Sequence, residues 1–474
     1  MIHANRRIAL RLPGLLLLLL VLMSFFTPAL AAGFTLQVHT DLPAAWAQSD
    51  VFMAQYAYDL GSAQSYTGFQ SELTSAKFAP VLSSLAEAAK IFGVAGSFPK
   101  TLPDQGFLTR GVVITALYET VLNVKNADQD DAAAWFIING LMSGRASGEY
   151  ALDTPCTVEE MLVLAVRSYE YLAYSANEDS KGFFWAVQGE GNTVYLLGSI
   201  HITDGSIYPL SRAITDAYAR SEYLVVEADI FGMTAYDQMA LMQKGTFPED
   251  SGETIKDHVS PEIYELYASV MSSFGFEPSA YDNMKPWLAT MILQSLSEIY
   301  SEEEAYLGLD MYFLRRAYST GLDIIELEGA AFQFDVFDSF SPELAEYQLL
   351  GTLLGVISDD SADDVDPVAN GSQGAANSQR QAYLDLLEIV KAGDEVALSA
   401  LLTLDFAFEN PLEIEYRKVF LVDRNLGMAE KIFAFLSDDA LNGDYFVVVG
   451  AAHMFGEEGI VALLSDQGYR VERR

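Results

Sequence analysis

An apolar run, a glycine and a histidine three residues further on occur twice in this chain. Val194-Tyr195-Leu196-Leu197 leads into Gly198-Ser199-Ile200-His201, and Phe446-Val447-Val448-Val449 leads into Gly450-Ala451-Ala452-His453. Short runs rich in β-branched and aromatic side chains suit strands buried on both faces, as in a parallel sheet. The glycine lets the backbone turn without a Cβ clash. Two more such runs, Tyr223–Val226 and Asp323–Leu327, fall between them, and Tyr445 extends the last one. Long amphipathic segments separate the runs, among them Pro261–Phe274, Pro286–Ser301 and Met311–Ser319. The alternation predicts an α/β domain over residues 179–474, a central sheet flanked by helices and carrying two strand–GxxH–helix units.

The preceding residues follow another grammar. Arg6, Arg7 and Arg11 stand before the apolar run Leu15–Phe26, and Ala29-Leu30-Ala31 supplies a small-residue cleavage pattern. That layout predicts a signal peptide over residues 1–31 and a working place outside the cytoplasm, secreted or at the cell surface. The run is too short for the roughly 20 residues of a spanning helix, and no later stretch is better suited, so no membrane span is expected after cleavage. Residues 32–178 read as a small, mainly helical domain. Helical spacing shows in Ala45-Trp46, Phe52-Met53, Tyr56-Ala57 and Leu60, and again in Val112-Val113, Ala116-Leu117 and Val121. Thr157 followed by Glu159 and Glu160 reads as a helix start. Between residues 358 and 378 apolar periodicity vanishes, and a flexible acidic insertion is expected.

Charge excludes one class of partner. With 66 acidic against 27 basic side chains and a formal charge of -39, the chain is unsuited to nucleic acid, which is bound through clustered Lys and Arg. A lone cysteine, Cys156, excludes an intramolecular disulfide or a cysteine-only zinc site and is expected as a buried small hydrophobe.

The five histidines then narrow the search. His3 lies in the leader, and His39 and His258 read as surface residues. His201 and His453 remain, both placed where α/β folds gather their ligands, beyond the carboxyl ends of strands. Two imidazoles delivered from separate strands can share one metal or one substrate; the alternative is two independent structural histidines. Acids also close strands here: Glu227 and Asp229 after Tyr223–Val226, Glu326 and Glu328 at the end of Asp323–Leu327. An acid in that position is costly unless paired or coordinating.

Taken together, these residues resemble the TraB/GumN family, which includes the Tiki metalloproteases. The resemblance runs from Gly182 to Arg474 through Val194–His201, Tyr208-Pro209-Leu210, Leu224–Glu227, Lys285-Pro286-Trp287-Leu288, Leu309-Asp310, Leu327-Glu328 with Gln333, Asp423-Arg424-Asn425 and Gly450–His453. Gly329 and Phe332 depart from the family's usual Thr and acidic residue. The resemblance implies a metal-dependent peptidase acting on a peptide or protein, with a divalent ion such as manganese, cobalt or zinc. It makes His201, His453 and Glu227 the metal ligands and Glu328 a further ligand or general base. Arg424 would stabilise an oxyanion, clamp a peptide carboxylate or form a structural salt bridge, and Asp310 is a candidate of the same kind. A non-catalytic protein that sequesters peptides or associates with the cell wall is the alternative. Residues 32–178 resemble degenerate S-layer homology repeats at Leu108-Thr109-Arg110 and Gly140–Gly144 with Tyr150, Thr157 and Glu160. That second resemblance implies a cell-wall polymer as partner; a helical spacer or partner-docking domain is the other reading.

Overall fold

The computed structural model describes residues 41–61, 66–94, 102, 106–142, 150–296, 301–360, 373–406, 410–437 and 443–474. The expected leader, with His3, lies outside the described residues, as does His39. Of the expected insertion, residues 361–372 also lie outside. Its two flanks are helical rather than loop, because the helices Pro342–Asp360 and Gln373–Ala392 run into it from either side.

Among the described residues there is one six-stranded sheet. Its strands are β1 (Phe183–Gln188), β2 (Thr193–Ser199), β3 (Tyr223–Val226), β4 (Asp323–Glu326), β5 (Tyr445–Gly450) and β6 (Val471–Arg473), in the spatial order β4-β3-β5-β2-β1-β6. Neighbours from β4 to β2 are parallel, while β1 lies antiparallel on β2 and β6 antiparallel on β1. The fold is therefore α/β as expected, with a mixed sheet. Strands β1 and β6 escaped the sequence reading. The first is a hairpin partner, joined to β2 by a turn in which Gly189 N–H donates to Asn192 O (2.9 Å). The last is the short polar tripeptide Val-Glu-Arg, which carries no periodicity to detect.

The expectation that Asp323–Leu327 is a buried strand is corrected. Strand β4 lies at the sheet edge, with Asp323 and Glu326 exposed and Ile324 and Ile325 half-buried. Charges on an edge strand deter pairing with another chain. By contrast every residue of β5 is buried, as its continuous Tyr-Phe-Val-Val-Val run requires.

The apolar interior divides in two. The larger cluster joins the sheet to the N-terminal helices Ser75–Ile91, Arg110–Leu122, Gln129–Ile138 and Val158–Ala176, and to the helix Leu309–Thr320. The smaller cluster, including Tyr267, Trp287, Leu288, Phe334, Phe337 and Tyr416, packs the helices Pro261–Ser273, Pro286–Leu296, Ala330–Asp338, Pro342–Asp360 and Pro411–Arg417 into a cap. The cap is made of segments that leave β3 and β4 at their carboxyl ends. Periodicity marks each of these helices but not which core receives its apolar face.

In the N-terminal helices Thr157 forms a capping box: its hydroxyl accepts from Glu160 N–H (3.2 Å), and Glu160 Oε2 accepts from Thr157 N–H (3.1 Å). Cys156 is fully buried. This part packs directly onto the α/β half. The Arg315 guanidinium lies 3.5 Å from the Phe52 ring centroid, and a Cβ at Gly205 would stand 3.3 Å from Ala57 Cα. Among the described residues no helix is long and apolar enough to cross a membrane.

Candidate functional site

Four adjacent parallel strands end on one side of the sheet, and each delivers a residue singled out from the sequence. In the order β4, β3, β5, β2 these are Glu328, Glu227, His453 and His201. Glu227 follows β3 directly, and His453 sits in the 3₁₀ turn Ala451–Met454 after β5. In the register, Val226 pairs with Val448 and Ser199 with Gly450, so the chain exits lie side by side.

The glycines act differently from the turn role expected of them. Gly450 has an ordinary φ of -49°, and Gly198 is not among the positive-φ glycines. Both supply room. A Cβ on Gly198 would lie 3.1 Å from Ala451 Cα, where the two GxxH turns touch. A Cβ on Gly450 would lie 3.4 Å from both Glu227 Oε1 and His201 Nε2, and 3.5 Å from His453 Cδ2. The bare Gly450 Cα thus faces a point shared by two imidazoles and a carboxylate.

Each imidazole is held by its other nitrogen. His453 Nδ1 lies 2.6 Å from Asn425 Oδ1, and the Asn425 amide donates from Nδ2 to Glu458 O (2.8 Å). His201 Nδ1 lies 2.7 Å from Asp310 Oδ2, while Asp310 Oδ1 accepts from Ser199 Oγ (3.0 Å). Glu227 is bound on both oxygens. Oε1 accepts from Gly450 N–H (2.7 Å) and stands 4.0 Å from His453 Nε2; Oε2 accepts from Arg424 Nη2 (2.5 Å) and Gln333 Nε2 (3.1 Å). Glu328 takes Arg424 Nε on Oε1 (2.9 Å) and Arg424 Nη2 on Oε2 (2.7 Å). The side chains of Glu227, Glu328, Arg424 and His453 are no more than 5% exposed, whereas His201 and Asp310 reach 14% and 17%. Within the cluster, His201 and Asp310 are therefore the side chains that solvent reaches.

Electrostatics follow from these contacts. Burial alone would raise the Glu227 pKa, but Arg424, the two histidines and the Gly450 N–H outweigh it and hold the carboxyl at about 2. Burial, and then the Arg424 charge, push His453 down to about 3, so its ring is neutral at ordinary pH. For His201 burial pulls downward, and the Asp310 charge and hydrogen bond win, leaving its pKa raised. Burial opposes the charge on Arg424, yet its two carboxylates raise its pKa further.

Asn425 and Gln333 are the functional partners that the sequence reading left without roles. Their only signals were positions beside Arg424 and after Leu327-Glu328. Other candidates fall elsewhere. Glu326 is exposed and accepts from Asp229 N–H (2.7 Å) on the rim. His258 stacks on Phe247 with ring centroids 4.3 Å apart, remote from the cluster in the small cap.

Among the described residues no three His, Cys, Asp or Glu side chains stand ready as a metal-binding group. In kind, however, the donors suit one. His201 Nε2, the His453 ring edge at Cδ2 and Glu227 Oε1 border the space that a Gly450 Cβ would fill; behind the rings, His453 Nδ1 has Asn425 as hydrogen-bond partner and His201 Nδ1 has the Asp310 carboxylate at 2.7 Å.

Comparison with known proteins finds relatives that match part of the chain. The Escherichia coli (strain K12) protein YbaP, described as uncharacterized, is 22% identical over 270 residues, 57% of this chain and 87% of that protein. Its Shigella flexneri counterpart matches equally. A metalloprotease TIKI homolog of Amphimedon queenslandica is 26% identical over 201 residues, 41% of this chain and 38% of the other. No solved structure matches. The model of the TraB/PrgY/gumN family matches residues 183–473, from the first residue of β1 to the last of β6, and the chain belongs to that family.

Proposed function

We propose that this protein is an exported, metal-dependent peptide hydrolase whose divalent ion would be held by His201, His453 and Glu227. One observation carries the reading: behind each imidazole an acceptor oxygen stands at Nδ1, 2.6 Å away for His453 and 2.7 Å for His201. The Asn425 amide is oriented by its donation to Glu458 O, so Oδ1 faces His453 and accepts from Nδ1–H. The Asp310 carboxylate can only accept, so His201 Nδ1 also carries a proton. The lone pairs left over are those of His201 Nε2, 3.4 Å from where a Gly450 Cβ would stand, and of His453 Nε2, 4.0 Å from Glu227 Oε1. Outer hydrogen bonds of this kind fix ligating histidines in metal sites. The similarity to a protein named a metalloprotease supports the same chemistry.

A bound divalent cation supplies Lewis acidity toward water and toward an amide carbonyl. The chain's own residues supply placement. Arg424 and Gln333 fix Glu227 by Oε2 and leave Oε1 turned to the histidines. Glu328 spends both oxygens on Arg424, and Arg424 spends Nε and Nη2 on carboxylates. This pair therefore serves as the clamp on Glu227 in preference to the base and oxyanion donor suggested by resemblance.

Export rests on the leader pattern in residues 1–31, and a cationic peptide suits the charge of -39. The test is elemental analysis of the purified protein beside His201→Ala and His453→Ala, followed by peptide cleavage with and without chelator. About one divalent ion per chain, lost in both variants, is the expected result. A wild type that takes up no manganese, cobalt or zinc defeats the reading and leaves a peptide-sequestering or cell-wall-associated binder, the latter through residues 32–178.

A further inference from the structure

Beside the histidine cluster lies a cavity of about 300 Å³. Its lining includes Leu402, Leu421, Val422, Asn425, Ala452 and Phe455. Leu421 and Val422 lie in a π-helical turn, Lys418–Val422, that joins the helices Pro411–Arg417 and Asp423–Ser437. Such turns interrupt the regular ladder and recur at functional sites. Ala452 lies in the turn that carries His453, and Phe455 directly follows that turn. Asn425 belongs to both places: it lines the cavity and holds His453 Nδ1, and Ala452 directly precedes His453. The cavity and the cluster are thus one residue apart.

The lining selects its guest by what it withholds. Asn425 has its carbonyl committed to His453 and its amide to Glu458 O. Arg417 and Glu458, also on the lining, pair with each other, their side chains 41% and 45% exposed. A charged or amide guest would give up water for groups already engaged, a poor exchange. Leu402, Leu421, Val422, Ala452 and Phe455 offer dispersion contact and removal of apolar surface from water. The volume equals about ten waters at ~30 Å³ each, enough for any natural apolar side chain.

We propose that this cavity is a specificity subsite, receiving a leucine-, methionine- or phenylalanine-class side chain of the peptide that the histidine cluster acts on. The inference rests on the hydrolase reading for the word substrate, but its binding half is tested separately. At roughly fourfold per buried methylene, leucine is preferred over alanine by several tens of fold.

Two measurements on the full chain decide it. In ligand-observed NMR, N-acetyl-leucinamide, N-acetyl-alaninamide and N-acetyl-aspartic acid amide are titrated into wild type, Val422→Phe and Leu402→Trp. The leucine probe is expected to bind tens of fold more tightly than the alanine probe, the aspartyl probe not at all. Either filled variant weakens the leucine probe at least tenfold. The second measurement maps cuts in a mixed peptide pool with metal-supplied protein. An apolar residue is expected at one fixed position beside the cut, with the preference eroded in both variants. Equal leucine binding in wild type and both variants, or a cleavage preference that neither changes, overturns the subsite. If the probes behave as expected and no peptide is cut, the cavity stands as a binding site and hydrolysis is what fails.

Discussion

Glutamine in place of Glu170 is expected to stabilise this protein, and only on the alkaline side. Glu170 lies on the helix Val158–Ala176, where the N-terminal helices meet the helix Leu309–Thr320. Its Oε1 accepts from Tyr58 Oη (3.1 Å). Asp50 and Arg167 stand near it, 3.6 Å from each other, and Arg316 supplies charge from the opposite helix while donating to Tyr312 Oη (2.8 Å). Burial, followed by repulsion from Asp50, raises the Glu170 pKa from 4.5 to about 7, against the pull of Arg316, the Tyr58 hydrogen bond and Arg167. A carboxyl with a raised folded-state pKa favours folding when protonated. Its stabilisation is whole below the unfolded value near 4.5 and is lost as pH rises through 7.

The size of that loss follows from the same two values. At about 1.4 kcal/mol per pKa unit, ionised Glu170 costs roughly 3 kcal/mol at pH 8 and under about 1 kcal/mol at pH 5. Glutamine keeps the acceptor for Tyr58 and cannot ionise. Allowing about 1 kcal/mol for an imperfectly paired amide, Glu170→Gln gains about 2 kcal/mol at pH 8 and nothing at pH 5. Urea midpoints from tryptophan fluorescence at the two pH values measure the difference, with equal slopes required for the comparison. A variant less stable than wild type at pH 8, or one that gains equally at both, refutes the reasoning.

Three further outcomes concern the site. Arg424→Met strands Glu227 and Glu328, both no more than 5% exposed, and is expected to cost about 3–5 kcal/mol in the same urea assay; a loss under about 1 kcal/mol would mean the clamp is dispensable. Gly450→Ala keeps an ordinary φ but sets a methyl group 3.4 Å from Glu227 Oε1 and His201 Nε2, so the protein is expected to fold and to lose metal by elemental analysis. Asn425→Leu removes the acceptor from His453 Nδ1; metal affinity by chelator competition should fall about 10–100-fold, and ¹⁵N NMR should show a mixed His453 tautomer.

Legibility differed with the kind of interaction. His201, His453 and Glu227 could be found because buried parallel strands advertise themselves as continuous apolar runs, and their ends are where a side chain meets a cleft. Asp323–Leu327 misled on burial because a four-residue edge strand can carry isoleucines and still lie half in water. The partner of His453 was hidden. Asn425 sits in a helix whose approach is set by the π-turn at Lys418–Val422, and no local pattern announces an i→i+5 turn. The separate cap was hidden likewise, because helical periodicity shows that a face is apolar and not which core it enters.

Strand order explains why residues so distant in sequence form one cluster, and it carries a charge argument with it. Strand β5, the last of the four parallel strands in the chain, inserts between β2 and β3 and so sets His453 between His201 and Glu227. Around that point stand one guanidinium, Arg424, and three carboxylates: Glu227, Glu328 and Asp310. His453 is neutral. Within the cluster, negative charge exceeds positive charge by two before His201 is counted, in surroundings where uncompensated charge is expensive. A proton on His201, which the Asp310 charge favours, cancels one of the two. A divalent cation held as proposed by His201, His453 and Glu227 would cancel both. Charge count and tautomer therefore support the same proposed occupant.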